Sequence, residues 1–270
     1  MKKLVLAFVV LCSTLFAGDI NLWKKSTLNK IIERGELIVG MEPGYMPFEM
    51  KDKKGRIIGY DVDMAKKMAK EMGVKVKFVP TAWDGIIAGL VTEKFDIIMS
   101  GMTITQSRNL KVNFANPYIV VGQTIIMKKS LDSKVKSAKD LDKKEYTIAT
   151  KLGVTGEIAT RKFFKKAKII TFETEADAAT EVLNGNADAM VYDQPYNVLF
   201  MSGKGKGRLT HLDTPLTYEP LGWAIRKGDP DFLNWLNNFL RQMKEDKVVN
   251  FHDNLYKKWL VDTKWLKRVQ

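Results

Sequence analysis

At 270 residues, 45% hydrophobic and 28% charged, the chain is long enough for one large or two modest domains and is not a disordered or low-complexity sequence. Its formal charge of +13 raises nucleic acid or an anionic membrane as partners. The lysines, however, fall in scattered pairs such as Lys66-Lys67, Lys128-Lys129 and Lys165-Lys166, with no basic block interleaved with aromatics; solvated helix faces account for them, and no nucleic acid partner is expected.

The N-terminus reads as a cleaved secretory signal over residues 1–18. Lys2 and Lys3 form a basic start, Leu4 to Phe16 is an apolar run too short to span a bilayer, and Ala17-Gly18 supplies small residues before Asp19. An uncleaved anchor is the competing reading, since Leu15 is bulky for its place before the cut. A periplasmic location follows. Cys12 is the single cysteine and is preceded by Leu11 rather than a small residue, so lipid anchoring is not expected. The mature chain then has no thiol for a disulfide, a nucleophile or a metal. His211 and His252 lie far apart, which leaves little material for a zinc site or a histidine triad. No cofactor or metal is expected.

Ser26 to Gly35 reads as a short helix ended by glycine, and Glu36 to Met41 as an apolar strand. A turn with Pro43, Gly44 and Pro47 follows, then a small hairpin about Gly55. Asp61 to Met72 has helical spacing and stops at Gly73; Lys75 to Val79 is a strand, Trp83 to Thr92 a helix and Phe95 to Met99 a strand. This β-α-β-α-β order implies a mainly parallel sheet. The pattern restarts with strands at 146–150, 169–172 and 189–192 and helices at 155–164, 175–183 and 195–201. Between the two halves, Asn116 to Met127 is an extended run that can cross from one lobe to the other, and Leu221 to Ile225 is a second that can cross back. Helices at 229–243 and 250–260 complete the chain. The expected fold is α/β and two-lobed, with a two-stranded hinge and a ligand cleft between lobes near the strand ends. Lobe 1 is expected over 19–121 and 223–270, and lobe 2 over 122–222.

Polar groups that could line such a cleft follow the strands. Ser100-Gly101-Met102-Thr103 and Arg108 combine hydroxyls, a tight turn and a guanidinium, which together suit a small carboxylate. The plainer reading is a strand–loop–helix junction with Thr105 as helix cap and Arg108 in solvent. In the second half, Thr155-Gly156 opens a helix and favours an anion, while Asp193 favours a cation; its plainer reading is a helix cap. A zwitterionic amino acid carries both charges on adjacent atoms. Tyr45 and Trp83 could sandwich an aliphatic stem or be core aromatics, and Glu42 would meet a donor at the far end. Asp61 and Asp63 are expected to cap a helix. Gly203-Lys204-Gly205-Lys206-Gly207 lacks the strand and the Lys-Ser/Thr ending of a phosphate loop and reads as a surface turn.

Over nearly all of its mature length the chain resembles the solute-binding proteins of polar amino acid ABC uptake systems, family 3. The residues that carry the resemblance are Gly59-Tyr60-Asp61-Val62-Asp63-Met64, Ser100-Gly101-Met102-Thr103 with Arg108, Phe114-Ala115-Asn116-Pro117-Tyr118, Gly153 with Thr155, and Asp193. The resemblance implies a type II periplasmic binding protein fold that closes on its ligand and delivers it to a membrane permease, as a monomer. It also implies that Ser100, Thr103, Arg108 and Thr155 hold the ligand α-carboxylate, that Asp193 accepts the α-ammonium, and that Tyr45 and Trp83 pack the side chain. Glu42 matches the acid that faces the side-chain nitrogen in lysine-, arginine-, ornithine- or histidine-binding members. A cationic amino acid, lysine foremost, is therefore expected. Lys151 matches a glutamine binder's lysine and leaves a glutamine ligand as the alternative. Exported cyclohexadienyl dehydratases resemble the same pattern; Glu42, Glu157 and Glu173 are the acids on offer, and no spacing singles one out. A sensor module that signals through a partner is a further reading.

Overall fold

Two five-stranded sheets with the same β-α-β-α-β beginning frame the molecule, which the computed structural model describes over residues 25–269. The expected secretory signal and Cys12 lie outside the described residues. No helix among the described residues is long and apolar enough to cross a membrane.

The first half starts with α1 (Thr27–Arg34). Ser26 Oγ accepts from the Asn29 amide at its start, and Gly35 ends it at φ +72°, a conformation that glycine reaches without a Cβ penalty. There follow β1 (Glu36–Met41), the hairpin β2 (Met50–Lys51) and β3 (Ile57–Ile58), α2 (Tyr60–Glu71), β4 (Lys75–Pro80), α3 (Trp83–Val91), β5 (Ile97–Ile98), α4 (Gln106–Asn109) and β6 (Asn113–Phe114). Val62, Met64, Ala65 and Met68 of α2 are fully buried, and each larger apolar side chain contributes roughly 1.5–3 kcal/mol by leaving water. Strands β1 and β4 run parallel with Glu36 opposite Lys75, and β5 runs parallel on the other side with Val39 opposite Ile97. This register brings the chain ends after β1 and β5 side by side.

The second half contains β7 (Ile119–Val121), β8 (Gln123–Lys128), β9 (Thr147–Lys151), α5 (Thr155–Phe163), β10 (Lys168–Phe172), α6 (Glu175–Asn184), β11 (Ala189–Asp193), α7 (Gln194–Ser202) and β12 (Leu209–Leu212). The chain returns through β13 (Glu219–Leu221) to β14 (Ala224–Ile225), then forms α8 (Pro230–Glu245) and α9 (Phe251–Tyr256). The sheet orders are β4-β1-β5-β14-β6 and β10-β9-β11-β8-β12. Each sheet is mainly parallel but mixed, with one reversed strand: β14 pairs antiparallel with β5 and β6, and β8 pairs antiparallel with β11 and β12.

The crossings correct the expected hinge. Strands β7 and β13 pair with each other antiparallel, Glu219 opposite Val121, and stand apart from both sheets. The return crossing is thus Glu219–Leu221. The run expected to cross, Leu221 to Ile225, ends inside the first sheet, where Ala224 pairs with Ile98 and Phe114. An apolar run looks the same whether it crosses between lobes or fills a sheet centre; only the pairing partners differ. The first-sheet strand expected at 95–99 is also shorter, two residues long.

Candidate functional site

The first sheet supplies a polar floor. Ser100, just past β5, accepts through Oγ from the Glu42 amide (2.9 Å), just past β1, and donates to Glu49 Oε1 (2.8 Å). Gly101 sits at φ +53°, and a Cβ there would collide with the Tyr45 ring. Its amide donates to Asp61 Oδ2 (3.0 Å), which also accepts from Tyr118 Oη (2.9 Å). Asp61 therefore supports this turn and, against expectation, does not cap α2, which starts after Gly59 without a side-chain capping bond. Thr105 Oγ1 caps α4 as expected, by accepting from the Arg108 amide (3.2 Å), but the guanidinium turns inward rather than to solvent. There its Nη1 donates to the Thr103 carbonyl (2.8 Å), and its charge lies 5.2 Å over the Trp83 ring. Burial lowers the Arg108 pKa, against the pull of Glu219 and Asp193.

The second sheet supplies the opposing wall. Lys151 is the last residue of β9, its side chain 2% exposed, and its ammonium pairs with Glu42 across the cleft and with Glu175 (2.9 Å), the first residue of α6. Asp193 ends β11 and makes no capping hydrogen bond to α7; it accepts instead from Tyr45 Oη and Gln123 Nε2. Gln123 Nε2 reaches Thr155 Oγ1 (3.3 Å), which in turn lies 3.4 Å from Thr103 Oγ1. The Trp83 indole donates to the Gly153 carbonyl (3.0 Å). Lys151–Glu42, Tyr45–Asp193, Trp83–Gly153 and Thr103–Thr155 all join residues of the first sheet's half to residues of the second's.

Every residue singled out above as a cleft candidate lines one narrow cavity of about 20 Å³ between the two halves, with the exception of Met102. The Met102 side chain is instead buried in an apolar cluster with Ile86, Leu90 and Phe95.

The model of the bacterial extracellular solute-binding proteins, family 3, matches residues 37–262. The chain belongs to this family. A crystal structure described as an ABC-transporter binding component from Wolinella succinogenes DSM 1740, complexed with lysine, shares 66% identity with this solute-binding protein; the match has a TM-score of 0.84 and covers 87% of this chain and 99% of that one. The L-cystine-binding protein TcyJ of Escherichia coli is 30% identical over 86% of this chain and 85% of its own length. A cyclohexadienyl dehydratase of Pseudomonas aeruginosa is 31% identical over 67% of this chain and 68% of its own. The protein is accordingly an amino acid solute-binding protein of the ABC-transporter kind.

In this solute-binding protein the charges of the cleft fall into two groups. Arg108 and Asp193 form one, a cation and an acid that act on each other's charge. Lys151 with Glu42 and Glu175 forms the other, two acids around one cation. Burial alone would lower the Lys151 pKa, but Glu175 and Glu42 together hold it above its ordinary value. Burial pushes Glu42 up despite Lys151, and Glu175 adds to the rise because the two acids compete for one ammonium. Glu175, Glu49, Gln123 and Tyr192 were not evident as site residues in the sequence. Gln123, a polar residue opening an apolar strand, carried a signal. Glu175 carried none, reading as an ordinary acidic first turn after the cap Thr174.

Burial raises the Asp193 pKa to about 7, helped by Glu219 and opposed by Tyr45, Gln123 and Arg108. For an acid with a raised folded pKa, the stabilisation is complete below the ordinary carboxyl pKa and is lost as pH rises toward 7. Asp193→Asn keeps an acceptor for Tyr45 and removes the charge. It is expected to raise the melting temperature of the ligand-free protein at pH 8, to flatten its fall between pH 4 and 7, and to weaken amino acid binding at least tenfold. Thermal unfolding and calorimetry check the two effects, and a variant that melts lower at pH 8 contradicts the first.

Proposed function

We propose that the protein captures a cationic L-amino acid, lysine foremost, in the periplasm and hands it to the permease of an ABC importer. The observation that carries this reading is the division of the single Lys151 ammonium between Glu42 and Glu175. The ligand's α-carboxylate and α-ammonium balance Arg108 and Asp193, so the far end of the cleft keeps one negative charge in excess. A cationic side chain neutralises it; a glutamine amide leaves it unpaired, which is costly in a dry site. The 66% identical neighbour complexed with lysine supports the same ligand.

In this reading Ser100, Thr103, Arg108 and Thr155 receive the carboxylate beside the Gly101 turn, Asp193 the ammonium, and Trp83 the aliphatic stem. Tyr45 differs from its expected part: its hydroxyl orients Asp193, and its ring backs Gly101. Residues 19–121 with 223–270 and residues 122–222 act as the two lobes, about a hinge at β7 and β13. The contacts between the halves complete the site only when they meet, so a ligand that bridges Arg108 and Asp193 favours closure through its differential contacts.

We read the protein as a receptor rather than a dehydratase. Among the acids offered for proton transfer, Glu42 is tied to Lys151, and Glu157 accepts from the Gly153 amide and pairs with Arg161 on its own helix. Glu173 does not line the cavity. Calorimetry with lysine, arginine, ornithine and glutamine, together with an absorbance assay for phenylpyruvate release from prephenate, tests this. The expected result is binding of a cationic amino acid at least tenfold tighter than glutamine, without turnover. Tight glutamine binding with no heat from lysine overturns the ligand assignment, and turnover of prephenate overturns the receptor reading.

A further inference from the structure

Behind the Ser100–Gly101 turn, two carboxyl groups meet with no cation between them. Glu49 and Asp61 are both fully buried, are bonded to consecutive residues of that turn, and are close enough for the charge of one to act on the other. One oxygen of each is accounted for: Glu49 Oε1 accepts from Ser100 Oγ, and Asp61 Oδ2 accepts from the Gly101 amide and Tyr118 Oη. The other oxygens, Glu49 Oε2 and Asp61 Oδ1, have no donor. Two buried carboxylates side by side cannot both stay ionised, and two acceptors in contact need a proton between them. The remaining groups facing the pair supply no positive charge. Glu42 and Glu175 add negative charge near Glu49, and Tyr60 and Tyr118 flank Asp61. The Trp223 indole N–H faces Asp61 without a hydrogen bond of normal geometry. Lys151, the nearby cation, is held by Glu42 and Glu175.

We propose that Glu49 and Asp61 share a single proton, and that this carboxyl pair is the positioning element that fixes the Ser100–Gly101 turn for the ligand's carboxylate. The functional half rests on the reading that this turn receives an amino acid carboxylate. The proton comes from solvent and bridges Glu49 Oε2 and Asp61 Oδ1, leaving the pair with one negative charge. Its loss sets two carboxylates against each other, and each is bonded to one of the two turn residues, so the turn shifts when they separate. Burial raises both acids, Asp61 to about 6 and Glu49 well above its ordinary value. The stabilisation that the proton gives is lost as pH rises.

Infrared spectroscopy of the ligand-free protein at pH 8, above the titration of Asp193, tests the proton directly. A protonated-carboxyl stretch is expected in the wild type, shifted by ¹³C labelling of glutamate or aspartate side chains, retained in Asp193→Asn and absent in Glu49→Gln. No such band in the labelled wild type, or a band unchanged in Glu49→Gln, overturns the shared proton whether or not any amino acid binds. The positioning role is read from lysine affinity in a double-mutant cycle. In Glu49→Gln the amide donates to Asp61, and in Asp61→Asn it donates to Glu49, so each single variant replaces the proton by an N–H. In the double variant two N–H donors face each other. The double variant is expected to lose at least tenfold more affinity than the two single losses multiplied. Glu49→Gln is also expected to lack part of the wild type's fall in melting temperature as pH rises. Multiplicative losses with an unaltered pH profile show a merely structural pair and refute the positioning role.

Discussion

Arg108→Ala is expected to weaken amino acid binding by about 150- to 4,000-fold, the equivalent of the roughly 3–5 kcal/mol lost when one partner of a buried ion pair is removed. The guanidinium spends Nη1 on the Thr103 carbonyl and rests over Trp83, which leaves the rest of its donor fork for a ligand. A carboxylate in the variant's cleft would meet Ser100, Thr103 and Thr155 but no opposite charge. A second effect adds to the first. Arg108 holds the Asp193 pKa down, so without it Asp193 takes up a proton more readily and offers the α-ammonium a neutral acceptor at pH 7. The fold should tolerate the change, because burial already works against the Arg108 charge. Its ligand-free melting temperature is expected to stay near that of the wild type. Calorimetry with lysine measures the loss, and an affinity within threefold of the wild type refutes the role given to Arg108.

Lys151→Met should damage the protein itself. The ammonium is the shared partner of Glu42 and Glu175, with the Lys151 and Glu175 side chains each 2% exposed. Methionine nearly fills the volume but leaves two acids facing each other in a dry site. About 3–5 kcal/mol is at stake, or roughly 10 °C in melting temperature for a chain of this size. The pH dependence distinguishes this cause from a packing defect. Two uncompensated acids have raised folded pKa values, so their cost is present at pH 7 and shrinks as pH falls through the carboxyl range and one takes up a proton. Added lysine or ornithine should also raise the melting temperature more in the variant than in the wild type, because the ligand's ammonium fills the missing place. A loss independent of pH and unrelieved by ligand would point to packing alone and remove the charge argument for a cationic ligand.

The legibility of the site followed the range of the interactions involved. Ser100 to Arg108 could be read because its two readings are both local: Thr105 caps a helix from three residues away, and the same short helix aims Arg108. Asp193 stood out because an acid at the end of an apolar strand is conspicuous. The Met102 side chain packs into an apolar cluster with Ile86 and Leu90, which a motif of consecutive residues does not reveal. Glu175 and Glu49 stayed hidden, since each reads locally as an ordinary helix-start or hairpin acid. What makes them part of the site are partners 24 and 51 residues away. Trp83, an apolar packing residue by sequence, also carries Arg108 on its ring and ties the two halves through Gly153.

By itself the sequence determined the repeated β-α-β-α-β order, the two lobes and the turn that leads from Ser100 to Arg108, because strand and helix periodicity and short capping motifs are encoded within a few residues. Only the tertiary structure decided where the hinge returns, which acid partners Lys151, and that Asp61 and Glu49 meet beneath Gly101 and Ser100. Those are pairings across strands and between lobes. They depend on sheet register and lobe contact, and the charge balance they set has no signature in the order of residues along the chain.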